Sequence, residues 1–377
     1  MIFGRNFHVE YRDFAGWLFI WSVFVAGFDS NFPFGQIDKL AIVFLFAIEI
    51  IRKKKSIQIP TLVIFWTVFV YGLIWMFDCS DHYCGAAVVG TGVNVLRFVF
   101  YFFALAFLIS GGNLRITPSS ILLSFAAFFL WRMANGDFGI FTSLAAISTG
   151  QFYTSYRFGI GNEINNINYM ALVAASLVPL AFPNHTLDIK GWLALIFIAA
   201  FVVATYSRGA LMLYGVLSVL SGRFLWGVSP VRLIVLMAVC MGAYAGLTAV
   251  GYFEFRSFDL FNDASVAGRF AALEVLNEFE LFGNKAVLNT FFIEDGAIDN
   301  SFVRHLIGAG VFGLLLLVPA IMLFGKIVVD LQSTNAARRT ALMTIGWLIT
   351  MALDDSLFSL WGAFVFGSIA AISTQKI

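Results

Sequence analysis

Arg208 lies where a charge is expensive, between two long apolar runs in the segment Tyr206-Ser207-Arg208-Gly209. An arginine at the end of a membrane helix costs several kcal/mol unless it faces a carboxylate, a phosphate or a cavity. One interpretation pairs Arg208 with Glu163 or Asp299, or lets it snorkel to the interface. The other makes it an anion site, because a guanidinium binds phosphate oxygens through a bidentate fork. Tyr206 beside it is then a candidate substrate contact.

Several further arginines fall on the outer side in the topology derived below, where basic residues are usually scarce. Arg269 is the second candidate catalytic arginine, and a solvated surface charge is the alternative. A cavity on which these cations converge would suit a diphosphate, whose departure in a transfer reaction develops negative charge that fixed guanidiniums stabilise. The candidates for substrate binding in the same set are Arg157, Arg256 and Arg304.

The segment Asp299-Asn300-Ser301-Phe302-Val303-Arg304-His305 places polar groups at the start of an apolar run. Asp299 is the candidate general base for a sugar hydroxyl. Asn300 and His305 are candidate substrate contacts, with His305 nearly two helical turns deeper. The alternative is structural, because Asp or Asn before an apolar run is an ordinary helix N-cap.

Asparagines are concentrated between residues 159 and 169, ahead of another apolar run. Their carboxamides suit sugar hydroxyls, so Asn165 is a candidate substrate contact, whereas caps and turns are the alternative. The pair Asp354-Asp355 is interpreted as a solvated turn.

Cys79 and Cys84 lie close together in a polar connector, and a short-loop disulfide is predicted if their compartment is oxidising. A zinc site would also need Asp81 and His82, and His82 lies between the cysteines with poor geometry, so no metal is predicted. The chain has no G-x-x-x-x-G-K-[ST], G-x-S-x-G or H-E-x-x-H motif. We therefore predict no cofactor, and the energy for any reaction must come from the substrate.

The composition indicates which solvent surrounds these residues. The chain is 60% hydrophobic and 12% charged, against about 25% charged residues in an ordinary soluble domain. Its formal net charge of +1 provides no field for nucleic acid, which is not expected as a partner. We predict an all-α integral membrane protein with about 12 transmembrane helices. The predicted spans are residues 14–30, 37–51, 61–77, 94–110, 119–135, 167–183, 191–207, 209–222, 232–250, 301–324, 340–353 and 356–373.

Lys and Arg in the connectors set the orientation, and a cytoplasmic N-terminus puts most of the 23 basic residues inside. The long outer connectors are then residues 78–93, 136–166 and 251–300. In the last of these, residues 264–282 are predicted to form an amphipathic helix on the membrane surface that ends at Gly283. No fixed-period repeat occurs, so residues 1–377 are interpreted as a single polytopic membrane domain.

In their order along most of the chain, these features resemble the Wzy-type O-antigen polymerases and their relatives, the WaaL-type O-antigen ligases. The resemblance implies a GT-C-like glycosyltransferase of the bacterial inner membrane, with a large periplasmic loop between helices 9 and 10 and an active site facing the periplasm. It also implies metal-independent, inverting transfer of a polyprenyl-diphosphate-linked glycan in lipopolysaccharide biosynthesis. Arg208 and Arg269 would hold the diphosphate, and a chain-length regulator membrane protein would be a partner. The motifs are the Asn-rich entry to the sixth span, Ser207-Arg208-Gly209-Ala210, Gly268-Arg269-Phe270, Leu281-Phe282-Gly283 and Asp299-Asn300-Ser301-Phe302 with Gly310 and Gly313.

Asp299 separates the two relatives, because the ligases resemble this chain but begin that motif with a histidine. A polymerase is therefore predicted, and a ligase that transfers glycan to lipid A core is the alternative. A secondary transporter or flippase would also carry intramembrane arginines, but the sequence indicates neither internal inverted repeats nor helices broken near the midplane. The remaining alternative is a structural membrane protein whose arginines are neutralised by carboxylates.

Overall fold

The computed structural model describes residues 16–20, 66–67, 69–71, 73, 86–110, 114, 116–134, 167–205, 207–249, 273–284, 287, 301–316, 327–353, 362, 364–365 and 368. Within these residues the chain is mostly helical and has no strand, in agreement with the predicted all-α class. The α-helices with both ends described are α1 (Ala86–Ser110), α2 (Pro118–Ala134), α3 (Ile167–Ser176), α4 (Val178–Ala181), α5 (Ile189–Ala204), α6 (Arg208–Trp226), α7 (Pro230–Ala249), α8 (Ser301–Ala309) and α9 (Asn335–Leu353). Two 3₁₀-helices cover Val275–Glu278 and Gly310–Leu316.

Local sequence sets several of the helix ends. Before α2, the Thr117 N–H donates to Ser120 Oγ at 2.8 Å and the Ser120 N–H donates to Thr117 Oγ1 at 3.2 Å. This exchange satisfies two N–H groups that the first turn leaves free, as in a capping box. At its C-terminal end, α6 stops at Gly227, whose φ of 66° is the left-handed conformation that glycine adopts without cost.

The centre of the bundle is formed by α3 and α4, which are separated at Leu177, just before Pro179 in the first turn of α4. Proline lacks the N–H that a continuous helix would use, which explains the interruption of the predicted span 167–183. Residues 170–175 are at most 2% exposed. Helices α5, α6 and α9 pack around α3, and α2 packs on α5.

Small and hydroxylated residues let α3, α6 and α9 approach closely. Ser176 Oγ lies 3.4 Å from Thr350 Oγ1, joining α3 to α9. A Cβ at Gly346 would lie 2.8 Å from Leu217 Cδ1, so α9 presents bare backbone to α6 there. Such small-residue contacts are typical of helices that pack where water supplies no driving force.

Three connectors that the sequence places on the cytoplasmic side come together at one end of this bundle. Arg339 Nη2 donates to the Phe182 carbonyl at 2.8 Å, which joins the start of α9 to the end of α4. Arg338 Nη1 donates to the Phe224 carbonyl at 3.0 Å, which joins α9 to the last turn of α6. The end of α4, the end of α6 and the start of α9 therefore lie at the same end of the described bundle.

The predicted span 301–324 is not one continuous helix, and this expectation is corrected. Helix α8 ends at Ala309, and Gly310 has a φ of 54° before the following 3₁₀-helix. A Cβ at Gly313 would lie 2.9 Å from the His305 carbonyl oxygen. In a straight α-helix, eight residues separate such positions by about 12 Å. The chain therefore folds back onto α8 after Gly310.

The segment predicted as an amphipathic helix also differs in its described part. Residues 273–274 are helical, Val275–Glu278 form a 3₁₀-helix, and Phe279 is extended with a ψ of 126°. The helical part therefore ends before Leu281 and Phe282. Gly283 has a φ of 93°, so the expected break at this glycine is present. Residues 264–272 lie outside the described residues.

Among the described residues, Arg208–Trp226 is the helix long and apolar enough to cross a membrane by length and composition. Shorter apolar helices cover Val95–Ala106, Pro118–Phe128, Tyr169–Ala181, Ile189–Val203 and Phe302–Gly313. A core helix of a soluble protein can have the same composition, but such a helix is mostly buried. Only 28% of the most apolar stretch of α6 is buried within the protein.

Candidate functional site

Three of the predicted site residues lie in the described part of the chain: Arg208, Arg304 and His305. The others lie outside it, namely the catalytic candidates Arg269 and Asp299, the substrate-contact candidates Arg157, Asn165, Tyr206, Arg256 and Asn300, and the disulfide candidates Cys79 and Cys84. The structure therefore describes the Arg208 motif, Ser207-Arg208-Gly209-Ala210, and the second half of the Asp299 motif, Ser301 and Phe302.

Arg208 is the first residue of α6 and is half-buried. The turn before it is polar and buried: Thr205 Oγ1 donates to the Val202 carbonyl at 2.6 Å and accepts from the Ser207 N–H at 3.3 Å. Ser207 is the N-cap with φ −83° and ψ 103°, yet its hydroxyl makes no capping hydrogen bond. The turn thus brings α5 directly into α6 with Arg208 at the bend.

Gly209 allows neighbouring helices to come close to this bend. A Cβ at Gly209 would lie 3.3 Å from Leu353 Cδ1 at the end of α9 and 3.9 Å from Leu172 Cδ2 of α3. The start of α6 is therefore enclosed by α3 and α9 rather than projecting from the bundle. In the sequence Ser-Arg-Gly, the glycine makes the close packing possible, and the arginine is the charged group held at the packed end.

His305 lies on α8 and is 2% exposed. Its Nδ1 lies 3.0 Å from the Tyr71 hydroxyl, which is itself buried, and the two rings meet edge to face at 5.8 Å. A role for His305 as a substrate contact stays a prediction, and its ring packs against Tyr71. The preceding residue, Arg304, is half-buried. Two adjacent site candidates thus occupy different surroundings on the same helix.

The loop at Leu281-Phe282-Gly283 is attached to α8 through backbone hydrogen bonds. The Asn284 N–H donates to the Ile307 carbonyl at 2.8 Å, and the Val311 N–H donates to the Leu281 carbonyl at 2.8 Å. These bonds satisfy backbone groups that the break after Ala309 would leave free. Two motifs quoted for the resemblance, one before and one after the segment that contains Asp299, are therefore in contact.

Sequence reasoning missed Tyr71 and the pairing of Gly283 with Gly310. A Cβ at Gly310 would overlap the Gly283 nitrogen and the Leu281 carbonyl oxygen, so the two glycines permit a contact between bare backbones. Both glycines stand in the quoted motifs, and that was the available signal. Tyr71 lies in an apolar run, where nothing in the sequence distinguishes it from a packing residue.

No group of three or more His, Cys, Asp and Glu side chains that could hold a metal occurs within the described residues. No protein-family model, curated protein or solved structure matches this chain. The class that the structure defines is an α-helical bundle in which one helix among the described residues is both long and apolar enough to cross a membrane.

Proposed function

We propose that this protein is a polytopic membrane glycosyltransferase of about 12 spans that polymerises polyprenyl-diphosphate-linked oligosaccharide repeats for O-antigen or a related surface polysaccharide. The proposal includes location in the bacterial inner membrane with the reaction at the periplasmic face. It combines the composition and the resemblance with the position of Arg208. Each of these supports a different part of the proposal.

Exposed apolar side chains support the membrane setting. Leu193 and Ile196 on α5, Met212 on α6 and Ile234 and Val239 on α7 are all more than 40% exposed. In water such a surface would favour aggregation, whereas in lipid it is the ordinary outer face of a helical bundle. The low burial of α6 agrees with this setting.

The observation that carries the proposed chemistry is the position of Arg208 on the first turn of α6. The first N–H groups of a helix and its dipole favour anions, and the Ser207 hydroxyl does not cap these groups here. A guanidinium at the same place adds a bidentate partner for phosphate oxygens. A diphosphate is therefore a suitable ligand for this end of α6.

In the proposed reaction an acceptor hydroxyl attacks the anomeric carbon of the donor glycan. The new bond joins the acceptor oxygen to that carbon, while the carbon–oxygen bond to the diphosphate breaks and the diphosphate leaves with the electron pair. Arg208 and Arg269 stabilise the charge that develops on the leaving group. Asp299 accepts the proton of the hydroxyl as general base. Neither a nucleotide nor a metal is consumed.

Transport is the second candidate. The sequence had indicated no broken helix, which counted against a transporter, whereas the structure breaks the predicted span 301–324 at Gly310. Interrupted helices often mark substrate paths in secondary transporters. In this chain, however, the broken backbone is satisfied by the 281–284 loop. The break therefore has a structural explanation that does not require a transport path.

The test is a reconstitution assay with purified protein and a polyprenyl-diphosphate-linked repeat unit, without nucleotide or metal. We expect a glycan ladder on a gel, its loss in Arg208→Ala, and only partial recovery in Arg208→Lys, because lysine has no bidentate fork. Arg97→Ala is the matched control, since Arg97 is an exposed arginine on α1 outside the candidate site. Melting temperatures show whether each variant is folded.

Two results would contradict a polymerase, and a third would contradict only the role of Arg208. Transfer to lipid A core without a ladder would identify a ligase. Movement of the intact lipid-linked unit across a liposome membrane without new linkages would identify a flippase. A ladder that survives in folded Arg208→Ala would remove this arginine from the chemistry.

A further inference from the structure

The end of the bundle away from Arg208 carries basic groups that the proposed reaction does not use. Lys190 on α5, Arg223 at the end of α6 and Arg232 on α7 are all exposed. Of the described acidic residues at this end, Asp188 accepts from two backbone N–H groups and Asp330 is 1% exposed. We call the surface formed by Lys190, Arg223 and Arg232 the basic end.

Two indole rings lie directly beside the basic end. Trp226 Nε1 donates to the Pro183 carbonyl at 2.9 Å, and Trp192 Nε1 donates to the Thr186 carbonyl at 3.1 Å. The rings of Trp192 and Trp226 meet edge to face at 5.6 Å. Tryptophans with an apolar body and a satisfied N–H are typical of the membrane–water interface.

Beyond the indoles, the exposed surface becomes apolar. On α5, Leu193 and Ile196 follow Trp192 along the helix and are 42% and 59% exposed. On α7, Ile234, Val235 and Val239 are also exposed, beginning shortly after Arg232. The surface therefore passes from basic to aromatic to aliphatic along the helices.

From this order we infer that the basic end binds the headgroups of anionic phospholipids. The three layers match the headgroup, interfacial and hydrocarbon depths of one leaflet, whereas a soluble acidic partner would not account for the apolar layer that continues along α5 and α7. Each Lys or Arg near an anionic membrane surface adds to the electrostatic attraction between the protein and the lipid headgroups. The inference rests on the membrane setting of the proposed function, but not on its glycosyl transfer.

The test measures the melting temperature of the full-length protein in detergent with added phosphatidylglycerol or with phosphatidylcholine of the same acyl chains. Phosphatidylglycerol is expected to raise the melting temperature more, and added salt is expected to reduce the difference. The combined Lys190→Gln and Arg232→Gln variant should lose more than half of the difference. Arg97→Gln, which removes one exposed arginine at another place, should keep it.

Inorganic phosphate alone is the third addition. If it raises the melting temperature as much as phosphatidylglycerol does, the basic end binds free anions and the lipid site is overturned. Equal rises with the two lipids, or an unchanged difference in the double variant, would overturn the inference directly. The assay is separate from the polymerisation test. If the protein forms no polymer but phosphatidylglycerol still raises its melting temperature more, only the proposed function is contradicted. If the protein forms polymer but the two lipids raise its melting temperature equally, only the headgroup site is contradicted.

Discussion

Arg339 and Asp188 organise the end of the bundle where α4 ends and α5 begins, and both bind backbone groups there. The Arg339 guanidinium donates to the carbonyls of Pro179, Leu180 and Phe182 and to the Asn184 side-chain oxygen. The last carbonyls of a helix have no partner within it, so this arginine serves the end of α4. The sequence places Arg339 among the basic residues of the predicted cytoplasmic connectors. That position predicted the orientation of the chain, but not this capping role.

Asp188 is the N-cap of α5, where Asn184 N–H donates to Oδ2 at 3.0 Å and Gly191 N–H donates to Oδ1 at 3.1 Å. Burial alone would raise the pKa of the Asp188 carboxyl, but these bonds outweigh it. With additional attraction from His185 and Arg339, the pKa lies below the usual 3.8. The ionised form is therefore favoured by folding.

We expect Asp188→Ala to lower the stability of the folded protein by about 1 kcal/mol at neutral pH, because a helix cap is lost. Asp188→Asn should lose less, since asparagine also caps. The pKa of the Asp188 carboxyl is lower in the folded protein than in the unfolded protein. Its charge therefore stabilises the fold in full at pH values above the unfolded pKa, and this stabilisation is lost as the pH falls through the folded pKa. Melting curves of wild type and Asp188→Asn should therefore converge below about pH 4. A difference that stays constant down to pH 2 would contradict this assignment.

At the scale of elements, the pairing of the 281–284 loop with α8 holds the break after Ala309 in place. Gly283 and Gly310 have φ of 93° and 54°. An L-residue in the left-handed region costs roughly 1–2 kcal/mol even where space is free. Here a side chain would also meet backbone atoms of the facing segment, which cannot rotate away.

We expect Gly283→Ala and Gly310→Ala each to destabilise the protein by about 2 kcal/mol or more. The matched control is Gly215→Ala on α6, where an added Cβ meets nothing within 4 Å. This control should be neutral or slightly stabilising, because alanine favours a helix over glycine. Melting temperatures in one detergent provide the comparison. If Gly310→Ala melts with Gly215→Ala, the backbone contact is not a constraint on the fold.

The sequence predicted the positions of most described helices from their apolar length. Predicted spans 119–135, 191–207 and 232–250 correspond to α2, α5 and α7 within three residues at each end. The fold-back after Gly310 was not predicted, because an apolar run has the same composition whether it continues or turns. The Tyr71–His305 contact joins distant parts of the chain, and no local spacing indicates such a pair.

For the candidate site, residue type predicted more than geometry. Arg208 was chosen as a candidate because a charge between apolar runs requires a partner, and the structure places it half-buried at the start of α6. His305 was identified from the same reasoning about polar residues at an apolar boundary. Its burial depends on α8 packing near Tyr71, and sequence spacing alone does not determine that packing.

At the scale of the whole molecule, the described helices have two chemically different ends. One end combines basic side chains with indoles, and the opposite end holds the Thr205–Arg208 turn at the junction of α5 and α6. Helices α5 and α6 run in opposite directions between these ends, so a membrane crossing by both would place His185 on one side and Arg208 on the other. The orientation of the whole chain can therefore be measured from a few exposed positions.

We expect single cysteines at His185 and at Glu278, each exposed, to react from opposite sides of the inner membrane. The three native cysteines are first replaced by serine. A maleimide that cannot cross membranes should label Glu278→Cys in cells whose outer membrane alone is permeabilised, and His185→Cys only after the inner membrane is opened. Labelling of both from the periplasm would contradict the topology, and with it the periplasmic position of Arg208. The reverse pattern would invert the orientation and place the basic end in the periplasmic leaflet. The negative surface potential that attracts Lys and Arg belongs to the cytoplasmic leaflet, so this result would also contradict the proposed headgroup site.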